Sequence, residues 1–193
     1  MEKDMRFRKI FLLALLLLSM PMAVKAQFDY ITNGNAITIT KYTGNVVVVT
    51  VPDTINGLPV TRIGVGAFGG SSVFSVTIGT NVTSIGHNPF TICTHLASFT
   101  IPDNVTSIED YAFLACYSLA SVTIGTNVTS IGSQAFHRCT SLTSVAIPNG
   151  VTRIGTEAFA SCTNLTIVTI PGSVTSIGIG GPQSSYHSAR FLS

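Results

Sequence analysis

The chain has 193 residues, 46% hydrophobic and only 9% charged, with 17 Gly, 8 Pro, 4 Cys and no Trp, the length of one domain. Five of the ten Lys and Arg lie within residues 1–26; the remaining 167 residues hold five bases (Lys41, Arg62, Arg138, Arg153, Arg190) against six acids (Asp29, Asp53, Asp103, Glu109, Asp110, Glu157). Their net charge of −1 excludes a basic nucleic-acid surface.

The first element is a secretory signal. Arg6, Arg8 and Lys9 form a positive start, Ile10 to Met20 an apolar run, and Val24-Lys25-Ala26 a small-residue site that places cleavage before Gln27. The run is shorter than the about 20 apolar residues a membrane-crossing helix needs, so residues 1–26 are read as a signal peptide and no transmembrane span is expected after cleavage. No Cys follows the site to carry a lipid.

Residues 27–59 are expected to form an N-terminal β-hairpin cap. Two β-rich runs flank Asn33-Gly34, the dipeptide that most favours a tight hairpin turn. Val46 to Val51 is a further strand candidate, and Asn56-Gly57-Leu58-Pro59 turns the chain toward Val60.

From Val60 the sequence repeats. Val82-Thr-Ser-Ile85-Gly86, Phe90, Cys93, Leu96 and Phe99-Thr-Ile101-Pro102 recur in phase at Val105, Val128 and Val151, with Ala-Phe at Ala112-Phe113, Ala135-Phe136 and Ala158-Phe159. The earlier copy at Val60 is one residue shorter and lacks the Cys, and a copy at Val174 stops after Gly178. Residues 60–178 thus hold about five repeats of 22–23 residues and an incomplete sixth.

This pattern resembles the BspA-like leucine-rich repeats, the 23-residue class of bacterial surface proteins. The expected fold is a β-rich solenoid, a leucine-rich-repeat-like right-handed coil of short parallel strands and short helical or 3-10 turns behind the β cap. Elementary physics agrees on the strands. Phe99/Ile101, Val122/Ile124 and Val145/Ile147 alternate with Ser or Thr, the period of a half-buried strand. A unit this short buries its inner face only by stacking on its neighbours.

Chemistry is sparse. Cys93, Cys116, Cys139 and Cys162 share one phase, so their Cβ vectors run parallel and disulfides are disfavoured; buried thiols acting as small hydrophobes are expected. A ladder also places potential ligands in a line, not around a metal. His87, His95 and His137 occupy three phases and His187 lies in the tail, so neither a metal nor a catalytic site is read, and no cofactor or enzymatic activity is expected. Glu109-Asp110 reads as a solvated acidic bump. Asn81, Asn104, Asn127 and Asn164 match the glycosylation pattern, three of them simply as the repeated Asn-Val-Thr junction.

The candidate binding face is the outward side of the main strands: Ser75, Thr77, Ser98, Thr100, Ser121, Thr123, Ser144 and Thr169, with Ala146 and Ile167 interrupting the two columns. Repeat-built concave faces are where solenoids bind extended partners, although Thr also serves β propensity. The family resemblance implies a secreted or cell-surface protein that adheres to host extracellular matrix or surface proteins. A carbohydrate-binding surface module is the alternative, disfavoured because the strand columns hold no aromatic pair. Residues 179–193 read as an irregular tail, which would leave Val168–Ile170 an open edge and permit weak self-association there.

Overall fold

A computed structural model describes residues 27–178 and the backbone of Arg190–Leu192. The expected signal peptide, residues 179–189 and residue 193 lie outside the described residues.

The cap begins with β1 (Phe28–Asn33) and β2 (Ala36–Tyr42), paired antiparallel with Asn33 opposite Ala36 across the turn at Gly34 and Asn35. Next come β3 (Val48–Thr50), β4 (Thr54–Ile55) and β5 (Leu58–Ile63). Asn56 and Gly57 join β4 to β5 with φ of 54° and 80°, as a type I′ hairpin turn requires.

Each repeat then adds two short strands. The first set is β6 (Ser75–Thr77), β8 (Ser98–Ile101), β10 (Ser121–Ile124), β12 (Ser144–Ala146) and β14 (Ile167–Thr169); these are the alternating Phe/Val-x-Ile segments. The second set comes from Val-Thr-x-Ile: β7 (Ser84–Ile85), β9 (Ser107–Ile108), β11 (Ser130–Ile131), β13 (Arg153–Ile154) and β15 (Ser176–Ile177). Arg190–Leu192 close the chain as β16.

The two sets behave differently. The second is a continuous parallel ladder, β5-β7-β9-β11-β13-β15, which the hairpin β1-β2 extends and closes at its N-terminal end. The first set, expected to be the main ladder, divides into β3-β6, β8-β10 and β12-β14-β16.

Between the strand sets the chain forms turns, and among the described residues there is no helix. The expected helical turn at Ala-Phe is therefore corrected, and the backbone angles give the reason. Two positions in each unit, two residues before and two after the Phe, are left-handed: Asn88 and Ile92, Tyr111 and Ala115, Gln134 and Arg138, Glu157 and Ser161. In the first unit Gly66 and Gly70 take the same places. A right-handed helix cannot pass through such residues. Instead their N–H groups point along the solenoid axis: Ile92 donates to Leu114 C=O at 2.8 Å and Ala115 to His137 C=O at 2.8 Å. The segment becomes a third inter-coil ladder.

The core is a set of stacked columns. Phe68, Phe90, Phe113, Phe136 and Phe159 are buried and their rings stack 5.0–5.3 Å apart. Ile63, Ile85, Ile108, Ile131 and Ile154 form a second buried column, Leu96, Leu119, Leu142 and Leu165 a third. Truncating one such Phe to Ala typically costs about 3–5 kcal/mol, so each ring is a large part of its coil's stability.

At the far end, β16 pairs parallel with β14, with Ile167 opposite Arg190 and Thr169 opposite Leu192. Val168 therefore does not lie on an open edge, and the expected irregular tail is regular over these three residues. A strand edge left in water or beside apolar groups keeps unsatisfied N–H and C=O groups; pairing relieves that for β14, and the C-terminal edge expected to permit weak self-association is carried by β16, the outer strand of the β12-β14-β16 sheet.

Candidate functional site

The expected face assembles on the first strand set. Ser98 stands opposite Ser121 and Thr100 opposite Thr123 on β8 and β10, while Ser144 and Ala146 stand opposite Ile167 and Thr169 on β12 and β14. Thr77, Ser98, Thr100, Ser121, Thr123, Ser144 and Thr169 are exposed, and Ser75 is half-buried. The inward partners Val76, Phe99, Ile124, Val145 and Val168 are buried. Period-two alternation produces this split, each Ser or Thr pointing away from the column that holds the coil together.

Two features of this face were not legible beforehand. The columns do not run unbroken, because the ladder is interrupted between β10 and β12 and between β6 and β8. A cleft of about 240 Å³ opens at the β6/β8 break, lined by Ser75, Thr77, Ser98, Thr100 and Pro102 among others. The face also continues onto the cap. Val48 stands opposite Ser75 and Thr50 opposite Thr77, and Val47 C=O accepts the N–H of Phe74 at 2.7 Å. This brings Val46, Val47, Val48 and Phe74 together with 42%, 52%, 63% and 55% of their surface exposed. Contiguous exposed apolar side chains of this kind mark interaction surfaces.

The cysteines are free and buried, and each has a partner besides its apolar neighbours. Cys93 Sγ donates to Phe68 C=O at 3.1 Å, Cys116 to Phe90 at 3.0 Å, Cys139 to Phe113 at 3.2 Å and Cys162 to Phe136 at 3.1 Å. Burial pushes the Cys93 thiol up to about 11 and Cys162 up to about 12, and raises Cys116 and Cys139 as well. Such thiols are poor nucleophiles at neutral pH. They tie coils together.

The Thr of Val-Thr-x-Ile does similar work on the second strand set. Thr106 Oγ1 donates to Thr83 C=O at 3.4 Å, Thr129 to Thr106 at 3.0 Å, Thr152 to Thr129 at 3.2 Å and Thr175 to Thr152 at 3.2 Å. Each carbonyl there also receives the backbone N–H of the same Thr.

Charged side chains are placed more purposefully than a solvated bump. Glu109 Oε1 accepts Arg62 Nη2 at 2.8 Å, a pair 47 residues apart, and Ser84 Oγ at 3.3 Å. Asp110 Oδ1 accepts the N–H of Ser133 at 2.6 Å. On another turn, Asp103 accepts both N–H and Oγ1 of Thr126, which holds its carboxyl below the ordinary value. His137 lies 3.8 Å from Glu157 Oε2, and its pKa is lowered, chiefly by burial. His87 packs edge-on to Tyr111 and His95 Nδ1 lies 3.2 Å from Thr94 Oγ1; His187 lies outside the described residues. Among the described residues no three His, Cys, Asp or Glu side chains are placed to hold a metal.

A stack of two-stranded coils with one inward Phe per unit, joined in the four units from Phe90 to Phe159 by an inward Cys and Leu, defines a leucine-rich-repeat solenoid. The chain belongs to the BspA type leucine-rich repeat family, whose model matches residues 61–181 in six copies. Among solved structures it is similar to the leucine-rich repeat protein of T. pallidum (TpLRR), at 31% identity over 80% of this chain and 81% of that one, with a TM-score of 0.73. It shares the fold of a leucine-rich repeat protein from Eubacterium ventriosum, at 22% identity over 78% of this chain and 48% of that one, TM-score 0.55. A third, from Bacteroides ovatus, is 17% identical over 86% of this chain and 70% of that one, TM-score 0.50. The comparison with curated proteins finds no match.

Proposed function

We propose that the chain is exported through the signal at residues 1–26 and acts at the cell surface by binding another protein, as an adhesion module for host extracellular matrix or cell-surface proteins. The observation that carries this reading is the continuity of the Ser/Thr columns with the exposed apolar group Val46, Val47, Val48 and Phe74. An aliphatic and aromatic patch bordered by small hydroxyls has the composition of a protein interface, an apolar centre with a polar rim. The family supports a binding role over a catalytic one.

Ser75, Thr77, Ser98, Thr100, Ser121, Thr123, Ser144 and Thr169 are the proposed contact residues, with the β6/β8 cleft as their anchor point. The test is capture of the purified protein on arrays of matrix proteins and glycans. Binding to a matrix or surface protein that falls at least tenfold in Thr100→Lys/Thr123→Lys, with melting unchanged, supports the reading. Binding unaffected by the double substitution moves the contact to another face; selective binding to glycans replaces the protein ligand with a carbohydrate.

A further inference from the structure

The second strand set carries its own groove. Arg62, Ser84, Ser107, Ser130 and Arg153 stand in one register column across β5, β7, β9, β11 and β13. Most units place Ser here and Gly after the strand's Ile; Arg62, Arg153 and Glu109 depart from that pattern. Arg153 and Glu109, with Asp110, line a cavity of about 340 Å³ whose walls also include His87, Ser107 and Ser130. The wall residues Gly132 and Gly155 cannot carry side chains. A Cβ on Gly132 would lie 2.5 Å from Asp110 N, and one on Gly155 2.3 Å from Ser133 N. Packing accounts for the glycines and the serines, but not for charges of both signs gathered in a chain with so few.

Within the groove the ionic balance is uneven. Glu109 is engaged by Arg62. Arg153 is exposed and, among the described residues, its side chain has no hydrogen bond or ion pair. Asp110 commits one oxygen, Oδ1, to Ser133. One end of the groove therefore offers a free guanidinium, the other carboxylate oxygens. Asp110 follows β9 and its Oδ1 reaches Ser133 just after β11, so its carboxylate lies between one and two strand steps from Arg153 on β13, about 5–10 Å at the usual strand spacing. An extended peptide of two or three residues spans about 7–11 Å.

The geometry points to this groove as a binding site for a short free peptide in its zwitterionic form, its carboxylate on Arg153 and its ammonium on Asp110, whose second carboxylate oxygen is uncommitted. A guanidinium receives a carboxylate through two parallel hydrogen bonds, and the hydroxyls of Ser107 and Ser130 face the peptide units between. The groove lies on the nine-stranded sheet, so it is independent of the Ser/Thr face.

Titration of the purified protein with triglycine tests it, using N-acetyl-triglycine, triglycine amide, glycine and glucuronate as comparison probes. Saturable triglycine binding is expected, at least tenfold weaker for either end-blocked form and lost in Arg153→Gln, while the melting temperature of that variant stays unchanged. The site is overturned if triglycine does not bind saturably, if blocked forms or Arg153→Gln bind as well, or if glycine or glucuronate binds as tightly as triglycine.

Discussion

The ring of Tyr42 stacks on that of Phe68, with centroids 5.3 Å and planes 18° apart. The last residue of β2 thus begins the Phe column of the repeats, and its N–H donates to Ala67 C=O at 2.6 Å just as Phe68 N–H does to Pro89 C=O. Its hydroxyl is held too, donating to Val46 C=O at 2.7 Å and accepting Val46 N–H at 3.1 Å. Gly44 makes room, since a Cβ there would lie 2.6 Å from the Tyr42 hydroxyl. Tyr42→Ala is expected to cost about 3–5 kcal/mol in chemical denaturation, as for a buried aromatic. Tyr42→Phe keeps the stack and loses only the two hydrogen bonds, about 1–3 kcal/mol. Equal losses would mean that the stack contributes nothing.

The thiol ladder makes a prediction about substitution. Because Phe90 C=O stands 3.0 Å from Cys116 Sγ, a hydroxyl at residue 116 has an acceptor waiting. Ser71 occupies the same place in the first repeat, three residues after Phe68, 3.6 Å from Cys93 Sγ. Cys116→Ser should therefore be less destabilising than Cys116→Ala, by about 1 kcal/mol for the retained hydrogen bond. In native protein a thiol reagent should modify none of the four cysteines, and in denaturant all four.

The same thiols set an alkaline limit. Burial raises their folded pKa values above the ordinary thiol range, to about 11 for Cys93 and about 12 for Cys162. A group that holds its proton more tightly when folded contributes stability that is whole below the unfolded pKa and declines as pH rises through the folded one. Stability from this source should be flat near neutral pH and fall from about pH 9, just above the unfolded thiol value, to about pH 12. Replacing all four cysteines with Ser should flatten that fall; an identical alkaline decline in the variant would assign it to other groups.

The repeat was legible because packing writes the same inward residues every 23 positions: Phe113, Cys116, Leu119, Val122 and Ile124 are all buried or partly buried. The hairpin was signalled by Asn33-Gly34, but the turn falls one residue later: Asn33 pairs with Ala36 as the last residue of β1, and Gly34, with φ of 59°, and Asn35 make the turn. The left-handed residues were not, since Ile92, Tyr111 and Glu157 are types with no liking for that region. What places them there is the inter-coil ladder, a tertiary cause that leaves no local signature. The Arg62–Glu109 pair was hidden for a related reason: the partners belong to coils two steps apart, and only the stacking brings them to 2.8 Å.

Ile92 is the sharpest of these positions, β-branched, half-exposed and at φ of 59°. A left-handed L-residue costs about 1–2 kcal/mol, partly offset by the freedom Gly gains on unfolding. Ile92→Gly should raise stability by about 0.5–1 kcal/mol, read as a higher melting temperature. Its N–H bond to Leu114 C=O is unaffected by the substitution. A fall in melting temperature would mean that the Ile side chain packs more strongly than its exposure indicates.

The last prediction concerns β16. Its pairing with β14 gives the β12-β14-β16 sheet its final strand. Removing residues 190–193 uncovers Val168 and its neighbours on an edge rich in β-branched residues, Ile167-Val168-Thr169, with no charge to discourage another strand. Ile167 is already 42% exposed, so the uncovered edge would add backbone donors and acceptors to an apolar side chain at the surface. Two effects should appear together: a loss of about 1–3 kcal/mol, from inter-strand hydrogen bonds worth about 1 kcal/mol each, and association that grows with protein concentration in light scattering. Phe191→Pro separates the strand from the length of chain, because proline removes an N–H and disfavours ladder pairing without shortening anything. If the truncated chain melts as the parent does and stays monomeric, β16 is not what closes this sheet; if Phe191→Pro reproduces the truncation, the pairing itself closes it.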